Sequence, residues 1–280
     1  MTGKETRGAA TIEYGLSYAE YDKRPGLRSS ELKKGAKSML HMRHYIEHGS
    51  EPTPAMIRGV QMHAAVLEPA VFARTYVIWD GKRKQGATWE AFKDDNAGKE
   101  IISVDEHAAL LMASEQVWSH RGASGLLRAT KHETSVFWHD SVYGAAKIRM
   151  DGICERQGII EYKTTGSVDQ HSFANTCAKM GYDIQMGWGW HAAMELTGRA
   201  DMPYHVIAQE QKAPYDVVVY RVPDSVLKAG YERAEEIARW YRTCERMNEF
   251  AGICYEVVEL EWPVWAGGEG GDVVDMEGIE

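Results

Sequence analysis

The chain has 280 residues, 44% hydrophobic and 26% charged, an ordinary globular composition with length enough for a large core. Its apolar runs fall far short of the ~20 residues of a membrane helix, and no basic-then-apolar leader opens it, so a cytoplasmic protein without a membrane partner is expected. The net charge of −9 excludes a generally basic DNA binder, but residues 251–280 hold eight acids and no Lys or Arg, while the first 50 residues hold nine Lys or Arg against six acids. Nucleic acid needs only a local basic track, so charge leaves DNA open.

The N-terminal third reads as helical. Ser17 can cap a short helix through Lys23, which Pro25-Gly26 ends. Ser29 or Ser30 can cap a second, broken near Gly35 and finished near Gly49, and Pro54 can start a third that stops at Pro69. Asp80–Thr88, rich in Gly and charge, reads as a loop, with helices following near Trp89–Asn96 and Val104–Trp118. The period then changes: ETSVFWH, YGAAKIRMDGI and GIIEYKTT are short β-rich segments separated by turn residues, which suggests a meander. Helix returns from about Asp169 to Thr197, then strand-like YHVIAQE and DVVVYRV, then an amphipathic helix from Asp224 to about Asn248. YEVVELE reads as a last strand, and an acidic, Gly-rich tail follows from Ala266. The sum is an α/β domain over residues 1–265, with a helical part at about 14–130, a core with a central mixed sheet at about 131–265, and a flexible acidic tail over 266–280.

The sharpest chemical signal is Asp151 followed by Glu161 and Lys163. Strand alternation puts Glu161 and Lys163 on one face with Tyr162 pointing away, and the turn ERQG brings Asp151 at the end of the preceding strand beside Glu161. Two carboxylates and a lysine at a sheet edge suit phosphodiester hydrolysis: the carboxylates hold Mg²⁺, and the lysine positions water and stabilises transition-state charge. Taken alone, the same spacing also describes a surface ion pair on a strand.

Other polar residues have plainer readings. Cys154, Cys177, Cys244 and Cys254 lack a C-x-x-C pair and read as reduced thiols. His41, His44 and His48 share a helix face but lack a completing ligand, and Glu133 reads as structural. Lys82, Arg83 and Lys84 are either loop charges in solvent or a grip on phosphates. Trp188, Trp190, Trp240, Trp262 and Trp265 read as core or subunit contacts, and Gly187 and Gly189 suggest close packing of their helix against the sheet or DNA.

Several segments, in order, resemble the exonuclease VIII-like family of phage and prophage DNA exonucleases, within the PD-(D/E)XK superfamily and distantly similar to lambda exonuclease. They are YAEYDKRPGLRSSELK, PAMIRGVQMHAAVLEP, the strands HETSVFW, KIRMDGI and IIEYKTT, and YDIQMGWGWHAA. The resemblance spans about residues 14–265. It implies a PD-(D/E)XK nuclease core in which His63, Asp151, Glu161 and the Tyr162 carbonyl ligate two Mg²⁺ ions, with Mn²⁺ able to substitute. Lys163 would orient the attacking water, Gln185 would hold Lys163 or that water, and Arg28 and Ser30 would bind a 5′-phosphate. One departure stands out: Gly189 occupies the position four after the glutamine where the family often has tyrosine, so that Trp188 by stacking, or Tyr182 on the same helical face as Gln185, would have to compensate.

The implied activity is a 5′-to-3′ exonuclease on linear duplex DNA, leaving 3′ tails for a single-strand annealing protein or recombinase. A ring-shaped homo-oligomer and a bacterial host cytoplasm go with that resemblance. An endonuclease of the same superfamily and a DNA-end-binding recombination protein without catalysis remain the alternatives.

Overall fold

The computed structural model describes residues 3–7 and 10–263. In chain order the elements are β1 (Gly3–Arg7), β2 (Ala10–Tyr14), α1 (Tyr18–Lys23), α2 (Ser29–Gly35), α3 (Met39–His48), α4 (Pro54–Leu67), α5 (Pro69–Thr75) and β3 (Tyr76–Trp79). Then come α6 (Ala87–Asp95), β4 (Glu100–Ser103), α7 (Val104–Ser119), α8 (Arg121–Ala129), β5 (Lys131–Asp140), β6 (Gly144–Cys154) and β7 (Gly158–Thr165). The chain continues through α9 (Gln170–Lys179), α10 (Tyr182–Thr197), β8 (Tyr204–Glu210), β9 (Val217–Arg221) and α11 (Asp224–Met247).

Among the described residues, the main sheet has seven strands in the order β1-β2-β5-β6-β7-β8-β9. Neighbours are antiparallel except β7 and β8, which run parallel and are therefore joined by the α9–α10 crossover. The sheet is mixed and covered on both faces, as the continuous apolar start of β7 requires. Ile159 packs into one core with Leu32, Ile184, Trp188 and Leu227, while Ile160 packs into the other with Met62, Val66, Leu110 and Leu127. Helices α2, α3, α10 and α11 thus cover one face, and α4, α5, α7 and α8 the other.

Local signals explain most helix starts. Ser17 and Ser103 form capping boxes with Glu20 and Glu106, Thr53 caps α4 with Pro54 in its first turn, and Asp169 caps α9. Neither Ser29 nor Ser30 caps α2: Arg28 is the cap residue, and Glu31 accepts from the Arg28 backbone N–H at 3.1 Å. The helix expected over 169–197 is two helices, divided at Gly181 with φ of 63°. At Gly187, α10 crosses α11 so closely that a Cβ would lie 2.1 Å from the Tyr231 backbone nitrogen. Gly189 instead faces the sheet, where a Cβ would meet Ile148 Cδ1 at 3.2 Å.

Three differences from the sequence reading concern strands. The N-terminal segment is not wholly helical, because β2 pairs with β5 and extends the sheet. A small parallel pair, β3 with β4, flanks the stretch read as loop and helix, within the part expected to be helical. Tyr255–Glu261 is not a strand: its composition is a strand's, but Val257, Val258 and Leu260 are exposed and it pairs with no strand among the described residues. The tail from Ala266 lies outside the described residues. Among the described residues no helix is long and apolar enough to cross a membrane.

Candidate active site

The site begins where the sheet comes apart. β6 and β7 pair only at Gly152–Ile160, Ile153–Ile159 and Cys154–Gly158, so the ladder stops one pair short of Asp151 and Glu161. On the other side of β6, pairing with β5 skips Glu133 opposite Asp151 and resumes at Thr134–Met150. Glu133 has φ of 53°, a left-handed conformation that breaks a strand ladder and is uncommon outside glycine. Asp151 therefore stands at a fork with regular pairing interrupted on both sides. Its Oδ2 accepts the Tyr162 backbone N–H at 2.7 Å. Because N–H and C=O of one strand residue point the same way, the Tyr162 carbonyl faces the fork too.

Glu161 is buried and held from three directions. Lys163 Nζ donates to Oε1 at 2.5 Å, Gln185 Nε2 donates to the same oxygen at 2.5 Å, and the Tyr204 hydroxyl donates to Oε2 at 3.0 Å. Burial raises its carboxyl above the usual range, with Asp151 adding to the rise and Lys163 opposing it. Burial works against the Lys163 ammonium, but Glu161 and Asp151 outweigh it and hold the group charged. Two ammoniums approach the Tyr182 ring, Lys163 Nζ at 5.0 Å and Lys33 Nζ at 5.2 Å from its centroid. Lys33 also donates to Gln185 Oε1 at 3.2 Å, which leaves the Gln185 NH₂ for Glu161.

On the other side of the fork, α4 turns Met56, Val60 and His63 toward an open cleft of about 530 Å³ and buries Met62 and Val66 behind them. His63 Nε2 is 3.3 Å from Asp151 Oδ1 and 3.4 Å from Glu133 Oε1. Burial disfavours a charged imidazole, yet the two carboxylates push it up to about 9. Asp151 is held below its ordinary value: burial opposes this, but His63, Lys163 and the Tyr162 N–H outweigh it. Burial pushes Glu133 up to about 7. Among the described residues, ligand atoms of His63, Glu68 and Glu133 lie within 4.8 Å of one another. Arg149 reaches across this group, donating through Nε to Glu133, through Nη1 to Leu16 O at 2.6 Å, and approaching Glu68 Oε1 with Nη2 at 3.7 Å.

The fold thus gathers His63, Asp151, Glu161, Tyr162, Lys163, Tyr182 and Gln185 at one fork. Gln185 contacts Glu161 rather than Lys163. Arg28 and Ser30 are not among the cleft-lining residues: Arg28 is engaged by Asp22, by Glu31 at 3.0 Å and by the hydroxyl of Tyr18, which does line the cleft. At Trp188 the core reading holds and the stacking alternative does not. Trp188 is fully buried, donates to Lys147 O at 3.2 Å and packs on Trp138 and Tyr143, so it cannot stack on a substrate. At Gly189, a Cβ would sit 3.4 Å from the Tyr204 hydroxyl. A phenol delivered from β8 occupies that neighbourhood and reaches Glu161.

Sequence reading missed Glu68, Arg149, Lys33 and Tyr204 and set Glu133 aside as structural. Arg149 had a usable signal, since it lies two residues before Asp151 and so on the same strand face. Tyr204 had none, because parallel pairing with β7 alone brings it there.

No curated protein matches the chain. Among solved structures, a protein from Eubacterium rectale described as a putative exonuclease superposes with a TM-score of 0.56 at 15% identity, over 90% of this chain and 96% of the other. At that identity the likeness speaks for the fold alone. Residues 29–259 match the family described as a PDDEXK-like domain of unknown function (DUF3799), a span that contains both arms of the fork, so the chain belongs to this PD-(D/E)XK-like family.

Proposed function

We propose that the protein is a divalent-metal-dependent nuclease that hydrolyses DNA phosphodiester bonds at the β6–β7 fork. The observation that carries this reading is the arrangement of Asp151, Glu161 and Lys163 where the ladder ends, with the Lys163 ammonium against the Glu161 carboxylate. The donor set fits a hard cation: it is rich in oxygen, it adds the Tyr162 carbonyl, and it includes a buried Glu133 Oε1 that has no hydrogen-bond partner among the described residues. Asp151, Glu161, the Tyr162 carbonyl and His63 would hold Mg²⁺, or Mn²⁺ in its place. When bound, the ion supplies Lewis acidity and charge neutralisation at the phosphate.

The chain's own groups do the rest. Lys163 presents a fixed positive charge to the attacking water and the phosphoryl oxygens. Gln185 and Tyr204 hold the Glu161 carboxylate in one orientation, and Lys33 fixes which way the Gln185 amide points. Tyr182 lines the cleft with its ring against Lys163, restricting where that ammonium can go. His63 braces Asp151 from α4.

The finer reading rests on the ordered resemblance of segments: digestion of the 5′-ended strand of linear duplex, release of 3′ single-stranded tails to an annealing protein or recombinase, and a homo-oligomeric ring around DNA. Arg28 and Ser30 would then serve the 5′-phosphate from beyond the cleft wall. Incubation with Mg²⁺ and end-labelled linear duplex beside closed circular DNA tests it. Loss of 5′-labelled mononucleotides from linear DNA, with circles intact, is expected. Nicked or linearised circles would make the enzyme an endonuclease, and release from the 3′ label would reverse the polarity.

A further inference from the structure

The acidic group on the β5 side of the fork raises the question of a second cation. Among the described residues, His63, Glu68 and Glu133 bring ligand atoms within 4.8 Å of one another, a spacing open to an ion. Two of its carboxylates, Glu133 and Glu68, already face a positive charge. Arg149 projects from the same face of β6 as Asp151, two residues earlier, and is held on three sides. Nε donates to Glu133 Oε2, Nη1 donates to the Leu16 carbonyl at 2.6 Å, and Nη2 lies 3.7 Å from Glu68 Oε1.

We propose that the Arg149 guanidinium stands in for a second metal ion, so that the fork binds one divalent cation per chain. The inference rests on the nuclease reading above and departs from the two ions that the resemblance implies. A guanidinium is permanently charged and planar, and it pairs with carboxylates through directed N–H bonds. Held by two acids and a carbonyl, with its side chain 13% exposed, it is a built part of the cleft wall rather than a loose surface charge. A divalent ion among His63, Glu68 and Glu133 would have to displace it or lie against it, and like charges at such separations repel strongly in a partly buried site. Glu133 adopts a left-handed backbone conformation, and its carboxylate is the one Arg149 grips most closely. The strain is consistent with a position dictated by that grip.

The chemical consequence is a division of labour. Asp151 and Glu161 serve the ion, whereas Arg149 and Lys163 both present fixed positive charge to the cleft they line. Arg149 supplies charge without an exchangeable water, so the water that attacks belongs to the Lys163 side.

The test counts ions. Mn²⁺ titration of the full chain, followed by the electron paramagnetic resonance signal of free Mn²⁺ and by calorimetry, should give one bound ion per wild-type chain. Arg149→Met, checked for folding by circular dichroism, should bind two ions, and Arg149→Met with Glu133→Gln should return to one. Two ions on the wild type, seen directly as Mn–Mn dipolar coupling, would overturn the proposal. So would a folded Arg149→Met variant that still binds one. Should Arg149→Met fail to fold, the wild-type count alone decides between one ion and two. No ion on the wild type would sink the nuclease reading instead, so the two failures are distinguishable.

Discussion

Tyr204→Phe removes one oxygen from a buried strand and leaves the ring in place, so it isolates the hydroxyl that donates to Glu161 at 3.0 Å. A hydrogen bond to a charged group is worth about 1.5–3 kcal/mol, and each ~1.4 kcal/mol is a factor of ten. Glu161 keeps two other donors, Lys163 and Gln185, so the loss belongs near the lower end of that range. The expected effect is roughly tenfold weaker Mn²⁺ activation, read as the metal concentration giving half-maximal hydrolysis of a labelled duplex. Melting followed by circular dichroism separates this from simple unfolding. If Tyr204→Phe titrates with Mn²⁺ like the wild type to within about twofold, Tyr204 does not support Glu161. The account of how the chain functions with Gly189 would then be wrong.

Other outcomes follow from the same geometry. Gly187→Ala places a Cβ 2.1 Å from the Tyr231 backbone nitrogen; overpacking of ~1–3 kcal/mol outweighs the ~1 kcal/mol gained in helix propensity, so the melting temperature should fall rather than rise. Burial and the Lys163 charge lower the Lys33 ammonium to about 8 from an ordinary 10.5. Between those values the folded chain has released a proton that the unfolded chain keeps, so this group makes denaturant stability rise with pH across the window, and Lys33→Met should remove that rise. Trp188→Phe should lower stability without changing the KM for DNA, whereas Tyr182→Leu, at the cleft, should lower kcat with little change in melting. An inverted pattern would put the substrate on the wrong face of α10.

What could be read from the sequence was local in origin. The strands around Asp151 and Glu161 have short-range signatures, a period of two and turn residues, so their face and order followed directly. The cap at Ser17 and the helix start at Asp169 also act within one turn. The break at Gly181 was hidden because the apolar pattern of α9 and α10 runs through it. β2 escaped notice because its stability comes from pairing with β5, more than a hundred residues away. Tyr255–Glu261 failed in the opposite way: it has a strand's composition but pairs with no strand among the described residues. At the site, Asp151, Glu161 and Lys163 share one hairpin and were visible, whereas Tyr204, Glu68 and Lys33 arrive through tertiary packing. Trp188 carried two readings, core contact and stacking platform, because aromatic residues beside a site look alike in sequence. Only burial against Trp138 and Tyr143 tells the two apart.

The central claim is that the fork itself hydrolyses DNA. It is tested most directly by comparing wild type with Lys163→Ala and Asp151→Asn on linear duplex in Mg²⁺, and with wild type in EDTA. The account predicts hydrolysis by the wild type only, with losses of at least ~100-fold in both variants, unchanged folding by circular dichroism, and no product in EDTA. Hydrolysis that survives Lys163→Ala, or that proceeds in EDTA, would contradict it.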